Sequence, residues 1–202
     1  FVDDLFENLW HDGTKFALED MLLGFIMGFD TAKPESPYFD EANVATFNQF
    51  ISVFKGARIT SEAPLTIEVY HDSFYLDASN QAWNRVLGLF WPYYSQGMSP
   101  WHTMAVGLKA EAAQTTVFSE DKADKLGVNR QNWIAGEQLV LLSSELATAQ
   151  LESFIPYEPT LGAYITENEA IQRYAALSTF ITNYGHMWVG NGPMFIDSID
   201  PI

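Results

Sequence analysis

The chain has 202 residues, 26 of them acidic and only 10 Lys or Arg, for a formal net charge of −16, with no cysteine. That length suits one domain with a core that needs no disulfide or metal staple. The 48% hydrophobic and 18% charged content excludes intrinsic disorder, and missing thiols exclude thiolate chemistry and cysteine-ligated zinc.

Nucleic-acid binding is excluded on charge. The densest basic group, Lys122, Lys125 and Arg130, is interleaved with Glu120, Asp121 and Asp124, so no cluster exists that could replace phosphate counterions. Residues 21–29 are the longest promising apolar run, well short of the roughly 18–20 residues a membrane-spanning helix requires. The chain opens on Phe1 rather than Met, which leads us to expect a processed extracytoplasmic or organellar protein.

Helical periodicity begins at once. Residues 3–29 place acidic Asp3 and Asp4 in a first turn and repeat Leu5, Phe6, Leu9, Phe16, Met21, Leu22, Phe25 and Phe29 at spacings of three and four. Within that run Gly24 and Gly28 suit a tight helix crossing in the core. After a loop at 30–39, Asp40 starts a helix whose stripe is Val44, Phe47, Ile51 and Phe54, ending near Gly56. Residues 64–78 alternate briefly at Leu65, Ile67 and Val69. A single short strand without a partner is a poor structure, so the expectation is a helix or irregular segment. Ser79 or Asn80 then caps a short helix bearing Trp83, Val86, Leu87 and Phe90, which Pro92 stops.

Ser99 followed by Pro100 is a cap with proline at the first helical position, which starts a helix through Met104, Leu108 and Ala112. Residues 119–128 read as a charged connector with a helical turn. Residues 129–154 carry two apolar stripes, one through Val140, Ala147 and Leu151, the other through Leu139, Leu142 and Leu146. Their wide arc predicts the central helix. Thr166 and Glu169 form a capping box that opens a seam of Ala170, Tyr174, Leu177, Ile181, Tyr184 and Trp188. The pattern predicts an all-α fold, a single compact helical domain over residues 1–202 with about five to seven helices, an irregular aromatic-rich loop and an ordered apolar C-terminal tail.

Motifs that carry chemistry are sparse. Glu68 and His71 have the spacing of two ligands on one helix face, but a di-iron centre needs a second such pair. Glu7 and His11 add only two ligands. Ser52 with Lys55, and Ser119 with Lys122, match the Ser-x-x-Lys nucleophile motif without its partner motifs. No catalytic, cofactor or metal residue is assigned, and the expectation is that the chain is not an enzyme.

The remaining anomaly is aromatic content, with fifteen Phe, nine Tyr and six Trp. Trp91, Tyr93, Tyr94 and Trp101, bracketed by Pro92 and Pro100, join Phe195 and Ile196 of the tail as candidate interface residues. The reading they favour is a non-catalytic helical subunit that contacts a protein partner or another copy of itself. The competing reading is a small-molecule or metal binder, or an enzyme, with a site assembled from scattered residues such as Glu68, His71 and His102.

Overall fold

The structure, a computed structural model, describes residues 5–74, 76, 77, 93, 94 and 97–199. Seven α-helices dominate the described residues, with three two-stranded sheets as minor additions, so the fold is mostly helical. The first expected helix is divided. A 3-10 turn at Leu5–Glu7 leads into a loop that Asp12 and Gly13 reverse, Gly13 at φ +84°, so that Trp10 stacks on Phe16 with ring centroids 5.4 Å apart. Helix α1 (Leu18–Asp30) follows. Gly28 on it has open space rather than a crossing helix around it.

Asp40 caps α2 (Glu41–Val53) as its sequence indicates, accepting from the Ala42 N–H at 3.0 Å. Residues 64–78 correct the helical expectation. Strand β2 (Leu65–His71) pairs antiparallel with β1 (Phe54–Glu62), matching Ile59 to Ile67 and Arg58 to Glu68. The partner missing from the sequence reading is the stretch immediately upstream. The turn at Ala63 and Pro64 closes a hairpin, and β-branched Ile59, Thr60, Thr66, Ile67 and Val69 suit its pleat. The helix expected around Trp83 and Phe90 lies outside the described residues.

Strands β3 (Tyr93–Tyr94) and β4 (Gly97–Met98) pair antiparallel and lead into α3 (Trp101–Ala112). The short strands β5 (Thr116–Val117) and β6 (Asn129–Arg130) pair in parallel around α4 (Glu120–Leu126). Ser119 caps α4 by accepting from the Lys122 N–H, and Gly127 ends it in the left-handed conformation at φ +67°. Helices α5 (Glu137–Glu152), α6 (Glu158–Leu161) and α7 (Glu167–Tyr184) complete the order.

The central element is α3, not the segment 129–154. Ten of its twelve residues are buried, and it packs on α1, α5 and α7. Small side chains at Ala105, Gly107 and Ala110 let neighbours approach on every side, which suits a helix surrounded rather than one lying on a surface. Gly107 is the tightest case: a Cβ there would stand 2.7 Å from Phe118 and 2.8 Å from both Gln131 and Trp133. Helix α5 instead buries one stripe, Leu142, Leu146 and Ala149, and turns Val140, Ala147 and Leu151 to water.

The seam of α7 meets α3 and α5 as its spacing predicts. Ala170, Tyr174 and Leu177 are fully buried, while Ile181 and Tyr184 are partly so. Thr166 accepts from the Glu169 N–H at 3.2 Å, the forward half of the capping box. The Glu169 carboxylate is turned toward Arg173, whose Nε donates to it at 3.2 Å.

Candidate functional site

The residues singled out by their aromatic character have different fates. Trp101 is completely buried at the start of α3, edge-on to Tyr174 at 5.8 Å, and has no surface to offer a partner. That corrects its assignment to an interface. Proline at position 100 opens the helix and drives the indole inward. Trp91 lies outside the described residues, and Tyr93 and Tyr94 are described only as strand backbone.

The apolar tail is held against the body by two histidines. His11 Nε2 donates to the Gly192 carbonyl at 2.8 Å while its Nδ1 accepts the Gly190 N–H at 3.2 Å. His186 repeats the arrangement, donating to the Ile196 carbonyl at 2.8 Å and accepting the Trp188 N–H at 3.0 Å. In each ring a backbone N–H is aimed at Nδ1 and a backbone carbonyl meets Nε2, so both nitrogens are used in fixing the tail. Phe195 packs between His11 and Tyr184, with centroids 5.5 and 5.1 Å away, yet remains 46% exposed. Ile196 is half-buried and Met194 is exposed.

Beneath that face lies a buried polar framework that sequence reasoning missed. Asp20, on the first turn of α1, accepts from the Trp101 N–H at 2.7 Å, the Ala17 N–H at 2.8 Å and the Trp10 indole at 3.0 Å. It thereby caps α3 from another helix, where a Ser99 cap was expected. Pro100 occupies the cap position and makes no side-chain bond. Burial pushes the Asp20 carboxyl up, opposed by Arg173 and by its N–H donors. Beside it, His102 Nε2 meets the Asp12 carboxylate at 2.6 Å, both side chains being fully buried. Asp12 also accepts from the N–H and hydroxyl of Thr14. Arg173 reaches Glu19 at 3.3 Å and Asp20 at 3.7 Å. One sequence signal did mark this region: Arg173 is the sole cation of α7 and stands next to Tyr174 on the apolar seam.

The exposed apolar surface concentrates elsewhere. No residue of α2 is buried and none of the two hairpin strands is, although five Phe side chains gather there. Phe29 packs on Phe47, Phe50 and Phe54 at 5.5–5.8 Å, and Phe25 lies 4.9 Å from Phe29. The Asp72 N–H donates to the Val53 carbonyl, so the end of β2 returns to the end of α2. Ile51 and Tyr70 project near this junction, and Phe74 and Leu76, just beyond it, are 79% and 98% exposed. A second apolar stripe is the outer face of α5, with Val140 70% and Leu151 87% exposed.

Residues proposed for scattered-site chemistry do not converge. Glu68 and His71 lie on a strand, where residues three apart point to opposite faces, so they cannot act as a helical ligand pair. Glu68 pairs with Arg58 and Tyr70, and His71 with Ser73. Glu7 pairs with Lys15 at 3.0 Å, away from His11 and its carbonyl partner. Lys122 is bonded to buried Glu111 at 2.7 Å, and Lys55 to Asp72 at 2.9 Å, so neither lysine is available to a neighbouring serine. Among the described residues no group of three or more His, Asp or Glu is placed to hold a metal ion. Met98, Ser99, Trp133, Met187, Trp188 and Val189 line an open depression whose cavity volume is only about 10 Å³. Ligand pockets usually enclose roughly 300–1,000 Å³. No helix among the described residues is long and apolar enough to cross a membrane. The sequence matches no protein-family model and no curated protein.

Proposed function

We propose that the chain is a non-catalytic helical subunit that works by contact with another protein chain. The observation that carries this reading is the exposed aromatic and aliphatic surface around the junction of α2 with the hairpin, where Ile51 and Tyr70 are exposed and Phe74 and Leu76, a few residues beyond the end of β2, stand in water. Leaving such groups wet forfeits about 25 cal/mol per Å² of apolar area, and contiguous apolar surface is characteristic of contact sites. The outer stripe of α5 and the half-exposed Phe195, with Met194 beside it, offer further apolar area of the same kind. Trp91, Tyr93 and Tyr94 stay in the proposed contact set on their sequence character.

Native mass measurement with light scattering tests the reading. The expected result is an associated species without a bound small molecule. Replacing Phe74 and Leu76 together by Ser should reduce association while leaving the melting temperature unchanged, because neither side chain is buried. A monomer whose double variant behaves identically, or a mass that includes a small-molecule ligand, would overturn it.

A further inference from the structure

The charge balance around Arg173 does not close. Three carboxylates, Glu19, Asp20 and Glu169, face this one guanidinium at 3.3, 3.7 and 3.2 Å, and the Glu19 and Asp20 side chains are 9% and 0% exposed. If all three were ionised, the cluster would hold a net charge of −2 in a place that water barely reaches. Charges so buried are kept only when paired, and otherwise the group takes up a proton.

The hydrogen bonds identify which carboxyl does so. Asp20 is surrounded by N–H donors from Trp10, Ala17 and Trp101, which together favour its ionised form. Glu169 is the most exposed of the three and takes the Arg173 Nε–H. Glu19 is left with the longer of the two Arg173 hydrogen bonds, at 3.3 Å, deep in the cluster. We propose that Glu19 carries a proton in the folded protein at neutral pH, which makes the contact of α1 with α7 through Arg173 a proton-dependent latch.

Burial pushes the Glu19 carboxyl up to about 8, with the neighbouring Glu169 and Asp20 carboxyls acting in the same direction and its own backbone N–H and Arg173 against it. Among the described residues, the other charged groups on the helices packed against α1 are engaged elsewhere. On α3, His102 is engaged with Asp12, Lys109 with Glu152 and Glu111 with Lys122. On α6, Glu158 lies toward the opposite end of α1, where Tyr157 donates to Asp30. The sign follows from a folded value above the ordinary one. Below about pH 4.5 the latch contributes fully, and its contribution is lost as the pH rises toward about 8 and is constant beyond.

The test uses the whole chain and the variant Glu19→Gln, which keeps the shape and a permanent N–H donor. Melting temperatures of the two proteins should coincide near pH 5. The variant should gain on the parent steadily up to about pH 8 and hold a constant lead above it. Glu169→Gln removes a neighbouring negative charge from the Arg173 cluster, so it should move the parent's alkaline loss to lower pH. A Glu19→Gln protein that is less stable at every pH, or differs from the parent by the same amount throughout, would show that Glu19 is ionised and simply paired with Arg173. Should that variant fail to fold, infrared spectroscopy decides. The parent must then show a protonated-carboxyl band at pH 6 that fades by pH 10 and shifts in Glu169→Gln, and a band indifferent to that substitution overturns the latch.

Discussion

Substituting Gly107 by Ala should destabilise the protein even though alanine is the better helix former. In an open helix the exchange gains roughly 1 kcal/mol. Here the new methyl would meet Phe118 at 2.7 Å and Gln131 and Trp133 at 2.8 Å, three side chains from two other segments. None can retreat freely, because α3 is enclosed on all sides and Trp133 is itself buried. Overpacking of this kind costs about 1–3 kcal/mol, and the three-sided contact favours the upper end. The Gln131 side chain also donates to the Gly107 carbonyl at 2.9 Å, and displacing it forfeits about 1 kcal/mol more. The sum is a net loss of about 3 kcal/mol, or a fall of about 6–12 °C in melting temperature for a domain of this size. Calorimetry or urea titration measures it, with Gly28→Ala as the internal control. Gly28 has open space around it in α1, so the same exchange should stabilise by about 0.5–1 kcal/mol. Opposite signs at the two positions are the expected outcome. A Gly107→Ala protein as stable as the parent would refute the packing around α3.

Asp20→Ala should cost roughly 3–5 kcal/mol in urea titration, since it strands the buried N–H groups of Trp10 and Trp101 with the part-buried Ala17 N–H, and leaves Arg173 without one of its partners. A loss below about 1 kcal/mol would mean that α3 is not capped from α1. Leu177→Ala, fully buried on the α7 seam, should cost about 2–5 kcal/mol, whereas Val140→Ala on the outer face of α5 should stay within about 0.5 kcal/mol. Burial pushes the Asp12 carboxyl up, but the His102 ring and the hydrogen bonds from His102 and Thr14 together bring it below its usual value. A lowered folded value contributes stability above about pH 4 that is lost as the pH falls further. The parent should therefore lose more stability than Asp12→Asn between about pH 4 and pH 2, and equal losses would discount the pair.

Helices were legible where one apolar face repeats and a cap precedes it. Asp40 before α2 and Thr166 before α7 are both local signals, and both helices begin within a residue of them. The hairpin was not legible because its evidence is divided between two segments. Leu65, Ile67 and Val69 alternate, but their partners sit in a stretch that continues the period of α2 up to Phe54. The centre of the fold was misplaced for a related reason. Segment 129–154 has the wider apolar arc, but within its helix α5 tertiary packing fully buries only the Leu142, Leu146 and Ala149 stripe. The small residues of α3 give a weak periodic signal, yet they are what allow close approach from several sides. Around the candidate surfaces, aromatic composition drew attention to Trp101, which is interior. Leu76 and Leu151 carry no sequence mark that separates them from core leucines, since exposure belongs to the assembled fold. Asp12 and Asp20 looked like two acids among 26.

The carboxylate of Asp20 also imposes an order on assembly. Its guanidinium partner, Arg173, lies 153 residues downstream of Asp20. At a synthesis rate of about 5–20 residues per second, roughly 8–30 s separate the two ends of that contact. Until then the first turn of α1 cannot be enclosed without stranding charge, so it must stay hydrated while α2 and the hairpin, whose partners are neighbours in sequence, are free to form. The last long helix, not the first, completes the interior.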